Sequence, residues 1–359
     1  MTRKAALVQA ESDVVRHCHS GLDVTALQKQ VLVSLRRLLS VDAAFFATAD
    51  PETLLFTSAY ADEPLAAATP LFLANEFGVD DVNKFASLAV SSSHVATLDA
   101  ATRGDRGASV RARDIMQPLG LGDELRAALA IGSSCWGYLC LHREDHPRGF
   151  TESETAAIAR LGPHIAHALR QALLLHEPSA QGDTTAPGVV LLDEHLTVCA
   201  ITAEAEFLLS IMTHGKAAKH PLPMVVYTVA AALHTMREAA TTPLVLPSAR
   251  VQAANGQWLN VHASRLRGEA GTERIAVILE PLQARARLPL LLSAHGLSDR
   301  EIEVATLVIR GVSTRGIVDA LHISRHTVQD HLKSVFDKTG VHSRRELVGQ
   351  LLTRPTPDS

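Results

Sequence analysis

Apolar residues recur at helical spacing near the start of the chain, where Val24, Leu27, Val31, Leu35 and Leu38 lie three or four positions apart. That period places them on one face of an amphipathic helix. The run Val41 to Ala49 then reads as a strand. Between about residues 60 and 120 no period dominates, and TRGDRGAS inside this region reads as turn. Within Ala127 to His142, ALAIGSSCWGYLCLH predicts a hairpin turning at Gly132–Ser134. Its second strand is apolar on both faces, which predicts a central strand with helices on one side and a pocket on the other. In TESE, Thr151 is set as an N-cap with Glu154 three positions on, a capping box. Ile158, Leu161, Ile165, Leu169 and Ala172 continue that helix over Glu152–Leu175.

The composition of Glu177 to Gly188, EPSAQGDTTAPG, predicts a linker. GVVLLDEHLTVCAIT then reads as strand, turn, strand, turning at Asp193–His195, and Ala203 to Met212 reads as a helix. GQWLNVHASRL alternates, with Trp258, Asn260, His262 and Ser264 on one face and Leu259, Val261 and Ala263 on the other. GEAG, Gly268 to Gly271, is read as a hairpin loop before the strand RIAVILE, and QARARLPLLL as a connecting helix.

The last sixty-odd residues carry the densest signals. Ser298 is an N-cap with Glu301 at the third helical position, and Ile302, Ala305, Thr306 and Ile309 are expected along one face, widened by Val304, Leu307 and Val308. Gly311 stops this helix, Ser313 caps a second, Ser324 a third that ends at Gly340, and Ser343 with Glu346 a fourth. On the third helix Val328, Leu332, Val335 and Phe336 share one side, and Arg325, Gln329, Asp330 and Lys333 lie roughly opposite. Short capped helices with a two-residue turn, His322–Ile323, describe a helix-turn-helix. The expected fold class is multidomain α+β: an α/β domain of sensory size over 1–176, an α+β domain over 187–284 and an all-α four-helix domain over 294–353.

Composition narrows the chemistry. A formal net charge of −4 over 359 residues excludes a broadly basic nucleic-acid binder and leaves local charge to decide. The last domain is close to neutral, with eight Arg and Lys against seven Asp and Glu from Gly296 to Gln350, so any DNA affinity must come from placement and pairing of copies. Cys18, Cys135, Cys140 and Cys199 form no CxxC, which fits reduced thiols in the cytoplasm. Asp13, Arg16 and Asp23 interrupt any signal-like start, and no uncharged apolar run reaches membrane-spanning length. HCH, His17 to His19, points its side chains apart in a helix, and no GxSxG, Walker A or HExxH occurs. Cys135 and Cys140 are expected to be buried packing. Catalytic residues, a metal and a cofactor are therefore not expected.

The segment LSDREIEVATLVIRGVSTRGIVDALHISRHTVQDHLKSVFDKTGVHSRRELV, Leu297 to Val348, resembles the LuxR-type DNA-binding domain of bacterial transcription regulators. The resemblance implies that Thr327 and Val328 open the recognition helix. It implies that Gln329, Asp330 and Lys333 face the groove, with His331 and Arg325 near the backbone. Gln329 can offer paired bonds to adenine, Asp330 can accept from cytosine N4, and Lys333 can reach guanine or a phosphate. Ser313, Thr314 and Arg315 begin the preceding helix, whose free N–H groups suit a phosphate, and Arg344 and Arg345 can add phosphate contacts. The family usually has an acidic residue where Gly316 stands. Glycine there removes a capping partner for Ser313 and costs about 1 kcal/mol in a helix interior.

Upstream, residues 20–175 resemble a GAF domain, mainly in LRAALAIGSSCWGYLCLHREDHPRGFTESETAAIARLGPHIAHAL. Residues 187–282 are similar to a PAS domain, chiefly in GVVLLDEHLTVCAITAEAE. GAF domains commonly bind small molecules or mediate dimers. The expectation is a sequence-specific DNA-binding transcriptional regulator controlled through its upstream domains. The alternative is a ligand-binding signalling adaptor whose last domain makes protein contacts. Expected partners are double-stranded DNA, a second copy of the chain, a small-molecule effector and RNA polymerase, with no membrane. Ala157, Leu161 and Ala168 on the long helix are candidate dimer contacts.

Overall fold

The computed structural model describes residues 3–144, 149–175, 186–213, 222–235, 247–267 and 273–352. Most of the expected linker after Glu177 and the GEAG loop lie outside the described residues. The chain forms two compact units, one holding two sheets and the other running from Leu282 onward.

The first unit opens with helices α1 (Arg3–Cys18) and α2 (Val24–Leu38), then strands β1 (Ala43–Ala49) and β2 (Phe56–Ala61). The unpatterned middle supplies α3 (Thr69–Gly78), α4 (Phe85–Val90), β3 (Val95–Thr97) and α5 (Leu98–Ala101). Strands β4 (Leu121–Ile131) and β5 (Ser134–Glu144) make the expected hairpin, and α6 (Glu152–Ala172) follows with the capping box of Thr151 and Glu154 in place. The antiparallel sheet has the order β2-β1-β5-β4-β3, so β5 is central. Alternation splits it into two faces. Phe46, Leu139, Leu141, Leu125 and Leu129 are fully buried on the face that α6 covers. Gly137 permits this packing, since a Cβ there would stand 2.6 Å from Leu169 and 2.4 Å from the Ala47 carbonyl oxygen. The other face carries Phe45, His142, Cys140, Glu124 and Arg126, paired across the strands, and lies under α3 and α4.

Ala157, Leu161 and Ala168 are not free for a dimer contact. Each is buried in its own chain, on a helix that packs against α1, α2 and the sheet.

The second sheet repeats the strand order. Strands β6 (Gly188–Leu192) and β7 (Val198–Ile201) precede α7 (Ala203–Met212), α8 (Met224–Thr235), β8 (Ser248–Gln252), β9 (Trp258–Arg267) and β10 (Glu273–Pro281). The order β7-β6-β10-β9-β8 places β10 centrally. Leu259, Val261 and Ala263 face the core as their alternation predicts.

The two sheets share apolar contacts. Val225, Val226, Val229, Ala230 and Leu233 of α8 fill the second core, and Ala231 on the same helix belongs to the first. Phe77 of α3 packs on both. Asp50, at the end of β1, takes the backbone N–H of Arg250 at 2.8 Å and its Nε and Nη2 at 2.9 and 2.6 Å.

The second unit contains α9 (Ala284–Ala294), α10 (Asp299–Ile309), α11 (Thr314–Leu321), α12 (Arg325–Thr339) and α13 (Arg344–Leu352). Far from being only a connector, α9 buries Leu288 and Leu292 with Val304, Val308, Val328, Val335 and Leu347. Each expected helix stop is present: Gly311 and Gly340 take φ of +80° and +72°, the left-handed conformation that glycine reaches without a Cβ clash. The buried line of α10 differs from the sequence reading. It runs through Glu301, Val304, Ala305 and Val308, with Ile302, Thr306 and Ile309 flanking, because α12 crosses on the side of Glu301.

Candidate functional site

The helix-turn-helix comprises α11, a two-residue turn and α12. Ser313 accepts from the Gly316 amide at 3.2 Å and Ser324 from the Thr327 amide at 3.1 Å, so both helices start on side-chain caps. His322 closes α11 with φ +53° and donates its N–H to Val318, which turns the chain in two residues. Arg300 of α10 donates to the Leu321 carbonyl at 2.7 Å, pinning the end of α11.

On α12, Val328, Leu332 and Val335 are buried, and Arg325, His326, Gln329, Asp330 and Lys333 are exposed. The structure therefore brings the expected groove-facing side chains onto one outer face. Thr327 and His331 are half-buried, and Thr327 Oγ1 lies 2.9 Å from Ser324 Oγ. Asp330 lies 3.7 Å from His326, an ion pair only when the imidazole is protonated. At the start of α11, Ser313 and Arg315 are exposed. Thr314 and Arg344 meet, with Arg344 Nη2 donating to Thr314 Oγ1 at 2.9 Å and Nη1 to the Val312 carbonyl at 3.3 Å. Arg344 thus orients the first turn of α11, and Arg345 beside it is exposed. At Gly316 a Cβ would stand 2.7 Å from Val312 Cγ1, so the position that departs from the family pattern is also closely packed.

Glu301 plays a larger part than its capping box implies. It accepts from the Ser298 amide at 2.7 Å, Ser334 Oγ at 2.5 Å and Lys338 Nζ at 2.7 Å, tying α10 to α12. Burial pushes its carboxyl up, but the Lys338, Ser334 and Ser298 bonds outweigh burial and hold it at about 2. A depressed carboxylate contributes stability that is complete above the ordinary value near 4.5 and is lost as pH falls toward 2. The hydrogen-exchange protection of the α12 amides in the full chain, taken relative to the intrinsic exchange rate at each pH, should therefore fall over that window. Glu301→Gln should remove about 1–3 kcal/mol of protection at pH 7 and flatten the acid response. An unchanged pH profile in that variant would contradict the assignment.

A second constellation lies on the α3-covered face of the first sheet. Arg111 is fully buried and donates to Glu124 from Nε at 3.2 and 3.1 Å and from Nη2 at 2.7 Å, with Nη1 on Asn75 at 3.2 Å. Arg126 donates to Glu76 at 2.6 Å, and its Nε lies 3.0 Å from Glu124 without the direction of a hydrogen bond. Its guanidinium carbon sits 4.4 Å from the Phe85 ring centroid. Cys140 Sγ is 3.2 Å from Glu124 and 3.2 Å from His142 Nε2. Burial raises Glu124's pKa, but Arg111 and then Arg126 outweigh it and keep the carboxylate charged. Burial, then the Glu124 charge, keeps the Cys140 thiol protonated. Burial lowers His142 to about 4 against the pull of Glu124, so it is neutral at pH 7.

Glu124, Cys140 and His142 converge closely enough to suggest metal ligands. Two guanidinium groups against the same carboxylate make that site hostile to a cation. Cys135 and Cys140 are both buried in the core, as expected, and Cys140 is in addition a hydrogen-bonding member of this cluster. Sequence position could not reveal the cluster, since Glu76, Arg111, Glu124 and His142 follow no shared motif.

Residues 295–350 match the family described as "Bacterial regulatory proteins, luxR family". No curated protein matches the chain. Among solved structures, the chain is similar to SdiA of Escherichia coli at 12% identity and TM-score 0.34, over 95% of this chain and 94% of that one. It is similar to the VqmA dimer of Vibrio cholerae at 16% identity and TM-score 0.22, over 46% of this chain and 81% of that one. PelD of Pseudomonas aeruginosa aligns at 13% identity and TM-score 0.29, over 77% of this chain and 78% of that one.

Proposed function

With residues 295–350 a LuxR-family helix-turn-helix domain, we propose that the whole chain is a sequence-specific transcriptional regulator that α12 docks into the major groove and the upstream unit controls. One observation carries the reading: Gln329, Asp330 and Lys333 share the outer face of a helix whose Val328, Leu332 and Val335 are locked in the core. Gln329 and Lys333 read base edges, Asp330 biases against mismatched contacts, and Arg325, Thr327 and His331 lie toward the backbone. Ser313, Thr314 and Arg315 approach a phosphate with the N-terminus of α11, where Arg344 holds Thr314, and Arg345 adds a phosphate contact.

The proposed divisions are a GAF-like domain over 1–176, a PAS-like domain over 187–284 and the DNA-binding domain over 294–353. The repeated strand order of the two sheets supports the first two. The chain works as a homodimer in the cytoplasm, responds to a small-molecule effector and contacts RNA polymerase. Among the described residues no helix is long and apolar enough to cross a membrane.

Enrichment from a pool of random duplexes tests the reading. The full chain should select a consensus of two half-sites centred about one helical turn, or a multiple, apart. Retention of bulk DNA without a consensus would overturn it.

A further inference from the structure

Between the first sheet and α3 lies a narrow cavity of about 40 Å³ whose walls include Phe45, Phe56, Phe72, Phe85, Arg126 and His142. Four phenylalanines make it apolar. Its charges are already matched, because Arg126 pairs with Glu76 and lies against Glu124, so an added carboxylate or ammonium would leave one charge unbalanced. Two polar atoms of the walls have no hydrogen-bond partner, and they differ: Arg126 Nε still has the Glu124 charge 3.0 Å away, whereas His142 Nδ1 has none. His142 is buried to 1% exposure, and its Nδ1 has no hydrogen-bond partner.

The neighbours of His142 decide what Nδ1 offers. Glu124 is a carboxylate and only accepts, so the Cys140 thiol, 3.2 Å away, gives it its single proton. His142 Nε2, 3.2 Å from the same sulfur and 3.9 Å from Glu124, then carries the imidazole proton. Nδ1 is left with a lone pair and requires a donor.

The geometry points to a binding site for a small neutral molecule with an apolar body of a few heavy atoms and one hydroxyl or N–H that donates to His142 Nδ1. This specifies the effector chemistry of the reading above and rests on it for its regulatory meaning. The cavity is also placed to be felt elsewhere: Thr69, Phe72, Leu73 and Glu76 of α3 line it, and Phe77 of the same helix packs into the second core.

Three probes on the full chain test the site: butan-1-ol, its isomer diethyl ether, which accepts but cannot donate, and butyrate, which is anionic. Ligand-observed NMR gives their relative affinities, and histidine-15N NMR follows the imidazole. Butan-1-ol should bind about tenfold more tightly than the ether, the value of one hydrogen bond to an otherwise unpaired buried acceptor, and should shift the His142 Nδ1 resonance. Butyrate should bind least. In His142→Phe the alcohol and the ether should become equal. If that variant does not fold, the isomer comparison and the imidazole signal in the unaltered chain still decide. Equal affinity of the isomers, strongest binding by butyrate, or binding by none of the three would overturn the proposal. Because the readout is occupancy rather than DNA retention, this site and the DNA-binding reading can fail separately.

Discussion

Replacing Arg111 with methionine should cost the upstream unit about 3–5 kcal/mol, a large share of the 5–15 kcal/mol typical of folded domains. Arg111 has no exposed surface and gives three hydrogen bonds to Glu124, one to Asn75 and one to the Val82 carbonyl. Methionine fills similar space but supplies none of them, so Glu124 keeps its burial and loses its best partner. The carboxyl then responds by taking up a proton more readily. In the unaltered chain Glu124 is held well below the usual carboxylate range, so its contribution is complete above about pH 4.5 and falls on acidification. In Arg111→Met that acid-side loss should shrink, and acid should destabilise the variant less than the parent. Urea unfolding followed by near-ultraviolet circular dichroism at pH 7 and at about pH 3, below the unfolded carboxyl's value, measures both effects. The double substitution with Glu124→Gln should recover part of the loss, since an amide has no uncompensated charge to bury. If the double variant were no better than Arg111→Met alone, the cost would come from packing and not from the stranded carboxylate.

The second large effect is expected on DNA. Gln329→Ala should cost about 1–3 kcal/mol, up to about a hundredfold in affinity, and the loss should be confined to one base pair of each half-site. Lys333→Ala should weaken binding across sequences and reduce the salt slope by about one if its ammonium sits on a phosphate. Both side chains are exposed on α12, away from Val328, Leu332 and Val335, so neither change should move the melting temperature by more than a degree or two. Titrations of the selected operator and its single-base variants, at several salt concentrations, separate the two roles. Unchanged affinity in both variants would favour a protein-contact role for this domain.

The C-terminal helices were legible because their signals are local. Ser298, Ser313, Ser324 and Ser343 each cap within three residues, and Gly311 and Gly340 end helices through their own backbone. The β4–β5 hairpin was legible for the same reason. What escaped was non-local. Helix α8, MVVYTVAAALHT, shows no amphipathic period because it is covered on two sides, by the second core and by Ala231's neighbours in the first. Helices α3 and α4 begin without side-chain caps, so the middle of the upstream unit carried no start signal. The hub role of Glu301 depends on Ser334 and Lys338, 33 and 37 residues away, which no capping pattern encodes. The buried cluster joins residues from α3, the segment at Arg111 and two strands, and charged residues in apolar strands give no clue to their partners.

The clamp of Asp50 on Arg250 closes a loop of 200 residues, and β1 pairs with β5 from Ala43 to His142. Contacts of such span carry a large loop-closure cost before they return any stability, which slows folding. In the C-terminal unit the tie of Glu301 to Lys338 spans 37 residues. Chains are made from the N-terminus, so the slow, long-range unit of this protein emerges first and has the remaining synthesis time to close. The fast, short-range unit emerges last. The order of units along the chain therefore favours an upstream unit that is already assembled when the C-terminal helices form, and a chain cut short before Arg250 would leave Asp50 without its counterion.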